Sequence, residues 1–142
     1  MKRLILLTAL ALCLAGCADS ESSSTPEVSS AGTASEQSSD YLQISQEEAA
    51  EIMKSQACII LDVRTQEEFS QGHIPGAICI PNEEIISDPP ADLPDKDALI
   101  LVYCRSGRRS KEAAAKLAAM GYTDIREFGG IINWTGEVTE AE

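Results

Sequence analysis

The sequence predicts an α/β domain with a mostly parallel sheet. Two apolar runs, residues 58–63 (broken only by Asp62) and 99–103, lack polar alternation, as strands covered on both faces do. Two capping boxes, Ser45-Gln46-Glu47-Glu48 and Thr65-Gln66-Glu67-Glu68, start helices between strand-like segments. An Ala-rich stretch, residues 111–120, follows the second apolar run. Strands alternating with helices predict parallel β-α units.

Taken in order, residues 41–44 read as a short strand leading into the Ser45 capping box. Ala49, Ile52 and Met53 then fall on one helical face. Residues 58–63 form a buried strand ending in Asp62-Val63-Arg64, and the Thr65 box starts a short helix through Phe69. Gly72-His73-Ile74-Pro75-Gly76 is a turn before a strand at residues 77–80. Residues 82–86 are expected to be helical, and residues 88–97, rich in Pro and Asp, to form a surface loop. After the strand at 99–103 and a loop, Ser110 opens the helix at 111–120, closed by Gly121. Residues 125–128 are the expected last strand, broken by Gly129-Gly130, and residues 131–134 make a final helical turn.

Length and charge bound the function. The 142 residues suit one modest domain with an apolar core. A net charge of −12 argues against nucleic acid as a partner. An Arg-rich loop on this acidic background suits a small anion rather than a polyanion.

The N-terminus reads as a targeting and tethering segment. Lys2 and Arg3 precede a short apolar core at residues 4–14, too short for a comfortable membrane span. Leu14-Ala15-Gly16-Cys17 resembles the lipobox of bacterial lipoproteins. The resemblance implies a signal peptide at 1–16, cleavage before Cys17, and lipid on the Cys17 sulfur. The expectation is then an extracytoplasmic protein anchored to a bacterial membrane. Residues 17–40 carry the expected lipidation site and a linker, and nine of the twenty residues from 20 to 39 are Ser. Such a segment buries too little apolar surface to fold, and as a coil it spans roughly 25 Å. The folded domain is placed at 41–136, with a short tail at 137–142.

The chemistry concentrates at residues 99–110, Leu-Ile-Leu-Val-Tyr-Cys-Arg-Ser-Gly-Arg-Arg-Ser. A strand ends at Cys104, and a tight loop with Gly107 feeds a helix. This layout aims backbone N–H groups and a helix N-terminus at the sulfur. Arg105, Arg108 and Arg109 follow at one, four and five residues. Such donors favour the thiolate and also hold an anionic substrate. A lone strand-end cysteine is commonly a small core hydrophobe; the Gly, the three Arg and the helix favour a nucleophile.

Four blocks extend the reading to the whole domain. They are Leu61-Asp62-Val63-Arg64; Glu68-Phe69 with Gly72-His73-Ile74-Pro75-Gly76-Ala77; Tyr103-Cys104-Arg105-Ser106-Gly107-Arg108-Arg109-Ser110; and Phe128-Gly129-Gly130-Ile131 with Trp134. Together they resemble a single rhodanese domain. The resemblance implies a three-layer α/β/α sandwich on a five-stranded, mostly parallel sheet. It implies sulfur transfer through a persulfide on Cys104, with thiosulfate or a similar small anionic donor and a thiol or cyanide acceptor. The implied substrate-binding residues are Arg105, Ser106, Gly107, Arg108 and Arg109. Arg105 is the first choice for the anion and Arg108 the second, while Arg109 has the alternative of turning back to brace the loop. Asp62 and Arg64 are expected to support the loop from below and to pair with neighbours such as Glu67 or Glu68.

The loop from Cys104 to Arg109 has the six residues of the family's sulfurtransferases. Related phosphatases place five residues between Cys and Arg, a spacing that here lands on Ser110. A phosphatase or arsenate reductase is disfavoured accordingly. A rival from another class is a persulfide carrier or anion-binding module serving a partner protein. No cofactor is expected, and one His with no Cys-x-x-Cys gives no metal site. His73 is expected to be a turn residue bonded to backbone. Cys58 and Cys79 are expected to be buried and inert.

Overall fold

The computed structural model describes residues 40–141. The expected signal peptide, the expected lipidation site at Cys17 and the Ser-rich linker as far as residue 39 lie outside the described residues.

The chain runs β1 (Leu42–Gln43), α1 (Gln46–Ser55), β2 (Ile59–Asp62), α2 (Gln66–Ser70), β3 (Ala77–Cys79), β4 (Leu99–Cys104), α3 (Arg108–Ala119) and β5 (Asp124–Gly130). A 3-10 turn, Ile131–Asn133, follows. The five strands form one sheet in the order β1-β5-β4-β2-β3, parallel throughout.

Side-chain alternation on β4 divides the interior in two. Ile100, Val102 and Cys104 face a core shared with Leu61, Ala113, Ala114, Leu117 and Ile125. Leu101 and Tyr103 face the other core, with Ala49, Ile52 and Phe128. Helix α3 therefore covers one face of the sheet and α1 the other, as a three-layer α/β sandwich requires.

Both helix starts behave as their sequences predict, to different degrees. At α2 the capping box is complete: the Thr65 hydroxyl accepts from Glu68 N at 3.2 Å, and Glu68 accepts from Thr65 N at 3.2 Å. At α1 the Ser45 hydroxyl accepts from Glu48 N at 3.1 Å. Each such cap is worth about 1 kcal/mol.

Four local expectations are corrected. Residues 82–86 form a turn, in which Glu84 N donates to Pro81 O, rather than a helix. Leu93, inside the expected surface loop, is fully buried, and the Tyr122 hydroxyl donates to its carbonyl at 2.6 Å. Helix α3 begins at Arg108, before Ser110, because Gly107 caps it in the left-handed conformation, φ 98°. Strand β5 continues through Gly129 and Gly130, with a register shift that sets Gly130 opposite Cys104.

The order of strands locates a crevice. From β2 the chain steps outward to β3, then returns to the opposite side of β2 for β4 and continues to β5. The carboxyl ends of β2 and β4 thus flank the switch point where parallel sheets bind ligands. Arg64 leaves one of these ends and Cys104 the other.

The C-terminal segment folds back on the domain. Thr139 and His73 exchange backbone hydrogen bonds of 2.7 and 2.8 Å, and Ala141 N donates to Ser70 O.

Candidate active site

Cys104 ends the central strand and is 1% exposed. The Gly107 N–H points at its sulfur, 3.1 Å away. Burial pushes the Cys104 thiol up, but hydrogen bonds from Ser110, through its hydroxyl and its N–H, and from the N–H groups of Gly107 and Ser106 outweigh it. The net effect lowers the thiol pKa. The sequence produces this geometry by placing a left-handed glycine where the loop turns into α3. The unpaired N–H groups of the first helical turn then converge on the strand end.

The other cysteines differ. Both are half-buried rather than fully buried. Burial raises the Cys58 thiol, and burial together with Asp62 pushes Cys79 up to about 11. Neither has the loop's converging donors.

The basic residues separate by what already holds them. Arg109 is gripped by Glu68 through two bonds, Nη1–Oε2 at 2.7 Å and Nη2–Oε1 at 2.9 Å. It therefore braces the loop instead of standing free for substrate. Arg64 is buried and pairs with Asp62 at 2.6 Å, and its Nη2 also donates to Gly72 O at 2.7 Å. The expected pairing of Asp62 and Arg64 with Glu67 or Glu68 is corrected: the two pair with each other, and Glu68 serves Arg109. The pair fixes the crevice wall beside Tyr103, whose hydroxyl accepts from Ile74 N at 3.2 Å. Breaking such a buried pair costs about 3–5 kcal/mol.

Arg105 and Arg108 are exposed, and neither side chain makes a hydrogen bond or ion pair among the described residues. Arg105 lines a cleft of about 450 Å³ with Arg64, Glu68, Gly72, Ile131 and Ile132. Charged arms and an apolar wall thus share one mouth. A larger cleft of about 710 Å³ runs between α1 and residues 134–137; Cys104 lines neither cleft, but Arg105, the residue after it, lines the smaller one.

Close approach at Gly130 completes the site. A β-carbon there would overlap the Arg105 carbonyl oxygen and come within 2.5 Å of Ser106 Cα. Only a glycine lets the loop lie this tightly on β5. His73 is a turn residue: its Nδ1 lies 2.9 Å from Phe69 O, and its ring stacks on Phe69 with centroids 3.7 Å apart.

Two site residues escape the sequence reading. Ser110 reads there as a helix start, yet it faces the sulfur. Glu127 on β5 is 2% exposed, and its Oε1 accepts from Ser110 Oγ at 2.6 Å and from Gly129 N at 2.9 Å. The signal is present in the sequence: Ile125 and Glu127 are two residues apart, so a buried Ile125 turns Glu127 inward as well.

Comparison with known proteins agrees with this fold. The family described as "Rhodanese-like domain" matches residues 45–137. The thiosulfate sulfurtransferase PspE of Escherichia coli (strain K12) is 41% identical over 71 residues, covering 50% of this chain and 68% of the relative. The thiosulfate sulfurtransferase GlpE of Pseudomonas putida (strain F1) is 34% identical over 95 residues, covering 65% and 82%. A solved structure titled "rhodanese with anions from E. coli" superposes with a TM-score of 0.55 at 35% identity. It covers 60% of this chain and 100% of that one.

Proposed function

The chain belongs to the rhodanese-like domain family, and from that premise we propose that it is a sulfurtransferase working through a persulfide on Cys104. The observation that carries this reading is the Cys104 sulfur itself. It sits at the end of β4 under converging N–H donors, with its thiol pKa lowered, and the next residue, Arg105, is exposed and unengaged.

The reaction has two halves. The Cys104 thiolate attacks the outer sulfur of thiosulfate, and a new S–S bond forms. The old S–S bond breaks, and sulfite leaves with its electron pair. Loop N–H groups stabilise charge growing at the sulfur, while Arg105 and Arg108 hold the departing anion. The outer sulfur then passes to a nucleophile, cyanide or a thiol, and the thiolate returns.

Ile132, 60% exposed beside Arg105, favours a second reading of the acceptor side. An apolar rim suits docking by a protein thiol, and the domain then works as a persulfide carrier with slow turnover on small acceptors. The N-terminal segment belongs to the same proposal: lipid on Cys17 holds the domain outside the cytoplasm, on a membrane.

Exposure of the purified protein to thiosulfate tests the reading. Mass spectrometry should find one added sulfur atom on Cys104, discharged by cyanide with release of thiocyanate. Cys104→Ser should show neither, since a serine hydroxyl is far less acidic. A sulfur adduct on Cys58 or Cys79 instead would sink the assignment.

A further inference from the structure

Gln46 opens α1 and is half-buried. Backbone pairing between β1 and β5 ends at Ile44, whose N–H donates to Glu127 O at 2.9 Å. Past that point the chain turns into α1, while β5 runs on to Gly130. The carboxamide of Gln46 takes up the pairing there: its Nε2 donates to Gly130 O at 2.8 Å. The same nitrogen stands 3.8 Å from where a β-carbon on Gly129 would sit. The partner is a carbonyl, so the NH₂ end of the amide must face it. The two residues lie 84 positions apart, and the bond joins the first helix of the domain to its last strand.

Gly129 and Gly130 are the bed on which the cysteine loop rests. Gly130 lies opposite Cys104 in the sheet. A β-carbon on it would overlap the Arg105 carbonyl oxygen and run into Ser106 Cα. A β-carbon on Gly107 would in turn lie 3.4 Å from Gly129 Cα. Just past the bed, the Ile132 N–H donates to Arg105 O at 3.3 Å. Residues 105, 106 and 107 therefore all meet the stretch that Gln46 holds. The last of them supplies the N–H that points at the Cys104 sulfur from 3.1 Å. Two adjacent glycines are the freest backbone the chain can offer, so their hydrogen bonds decide where they sit. Gly129 N–H is tied to Glu127 Oε1 at 2.9 Å, and the Gly130 carbonyl is tied to Gln46.

We propose that Gln46 is a positioning residue for the cysteine loop: its amide fixes the Gly129–Gly130 bed and so keeps the Gly107 N–H on the reacting sulfur. Gln46 touches neither the sulfur nor a sulfur donor. It works by preorganisation, since an N–H already aimed at the sulfur stabilises charge there without rearranging during the reaction. Without the amide, the Gly130 carbonyl turns to water and the two glycines gain freedom. The loop then samples positions in which the Gly107 N–H misses the sulfur. Arg105 and Arg108 are exposed and take no part in this contact, so capture of an anionic donor is left intact. The expected signature is slower sulfur uptake at unchanged donor affinity.

The proposal rests on Cys104 as the persulfide-forming nucleophile, so its first readout does not depend on sulfur transfer. Proton–nitrogen NMR spectra of the purified protein follow the Gly107 amide directly. Gln46→Met keeps the length of the side chain and removes the donor. Gln46→Glu keeps the shape, cannot donate as a carboxylate, and donates again once protonated. At neutral pH the Gly107 and Gly130 amide signals should move in both variants, while those of α2 stay in place. Below about pH 4, where a glutamate carboxyl takes its proton, the Gly107 signal of Gln46→Glu should return to that of wild type at the same pH. That of Gln46→Met should not. Glu47, Glu127 and Lys111 line the cleft that Gln46 shares with Gly107, and they are the same in all three proteins. In single-turnover reaction with thiosulfate, followed by the mass of the Cys104 peptide, the maximal rate should fall about two- to tenfold at neutral pH, the worth of one hydrogen bond. The half-saturating thiosulfate concentration should stay at the wild-type value. A Gly107 amide that holds its wild-type position in both variants overturns the proposal, even where denaturant midpoints show lost stability. A wild-type maximal rate despite a shifted amide overturns it as well. If wild-type protein itself takes up no sulfur, sulfur transfer fails, and the NMR comparison still decides whether Gln46 positions the loop.

Discussion

Arg109 and Glu68 meet fork to fork, with both terminal nitrogens of the guanidinium on both oxygens of the carboxylate. The same Glu68 closes the capping box of α2. One side chain therefore ties the start of α2 to the first turn of α3, across the mouth of the crevice.

This tie makes the fold sensitive to acid. Hydrogen bonds from Arg109 hold the Glu68 carboxyl down to about 2, against an ordinary value of 4.5. A lowered carboxylate contributes stability that is fully present above its unfolded pKa and lost as pH falls toward its folded one. The contribution should disappear between pH 4.5 and 2. Both side chains are partly exposed, so Glu68→Gln should cost about 1 kcal/mol at neutral pH. Thermal unfolding across pH should show the wild-type Tm falling more steeply through this window than that of Glu68→Gln; parallel curves would refute the assignment.

Arg105 is free where Arg109 is held. Arg105→Ala should raise KM for thiosulfate and lower kcat/KM by about 1–3 kcal/mol, the range of a charge-assisted hydrogen bond. The loss should be smaller with a neutral persulfide donor, which steady-state kinetics on the two donors would reveal. Equal losses on both would assign Arg105 a structural role instead.

Gly130 has no room for a side chain against the Arg105 carbonyl. Gly130→Ala should push the cysteine loop off β5 and destabilise the domain by about 1–3 kcal/mol, as overpacking does. Sulfur transfer should fall further than the stability loss explains, because the N–H groups around the sulfur move with the loop. Denaturant midpoints and turnover on the same sample would show a normal loop if both stayed at wild-type values.

Cys17→Ser should leave the chain without lipid and release it from membranes on fractionation. Wild-type protein found in membranes with its residues 1–16 still attached would contradict lipidation at Cys17.

Much of the site was legible because its local signals are strong. The apolar run ending at Cys104, Gly107 before the helix, and the Thr65 box are short-range patterns. Their energetics are settled within a few residues. What escaped depends on neighbours distant in sequence. Whether Arg64 faces Asp62 or Glu68, and whether Arg109 is free, is decided by the packing of α2 against the cysteine loop. Gly129-Gly130 resembles a strand breaker until the loop it must accommodate is in view. Glu127 reads as one more acidic residue in an acidic chain. Its two-residue spacing from Ile125 hints that it turns inward, and seating β5 between β1 and β4 makes that burial complete.

The placement of β1 also dictates when the domain can close. Leu42 pairs with Arg126 and Gln43 with Glu127, so the first strand of the domain to be synthesised bonds to its last. Parallel neighbours leave no hairpin to nucleate nearby, and such distant pairing is slow. The final clip, Thr139 on His73, is made by residues that follow β5 in the chain. A nascent chain therefore carries β1 without its sheet partner until β5 has cleared the ribosome. Through that interval the half-built sheet exposes an unpaired strand edge, the feature that makes incomplete sheets prone to aggregate.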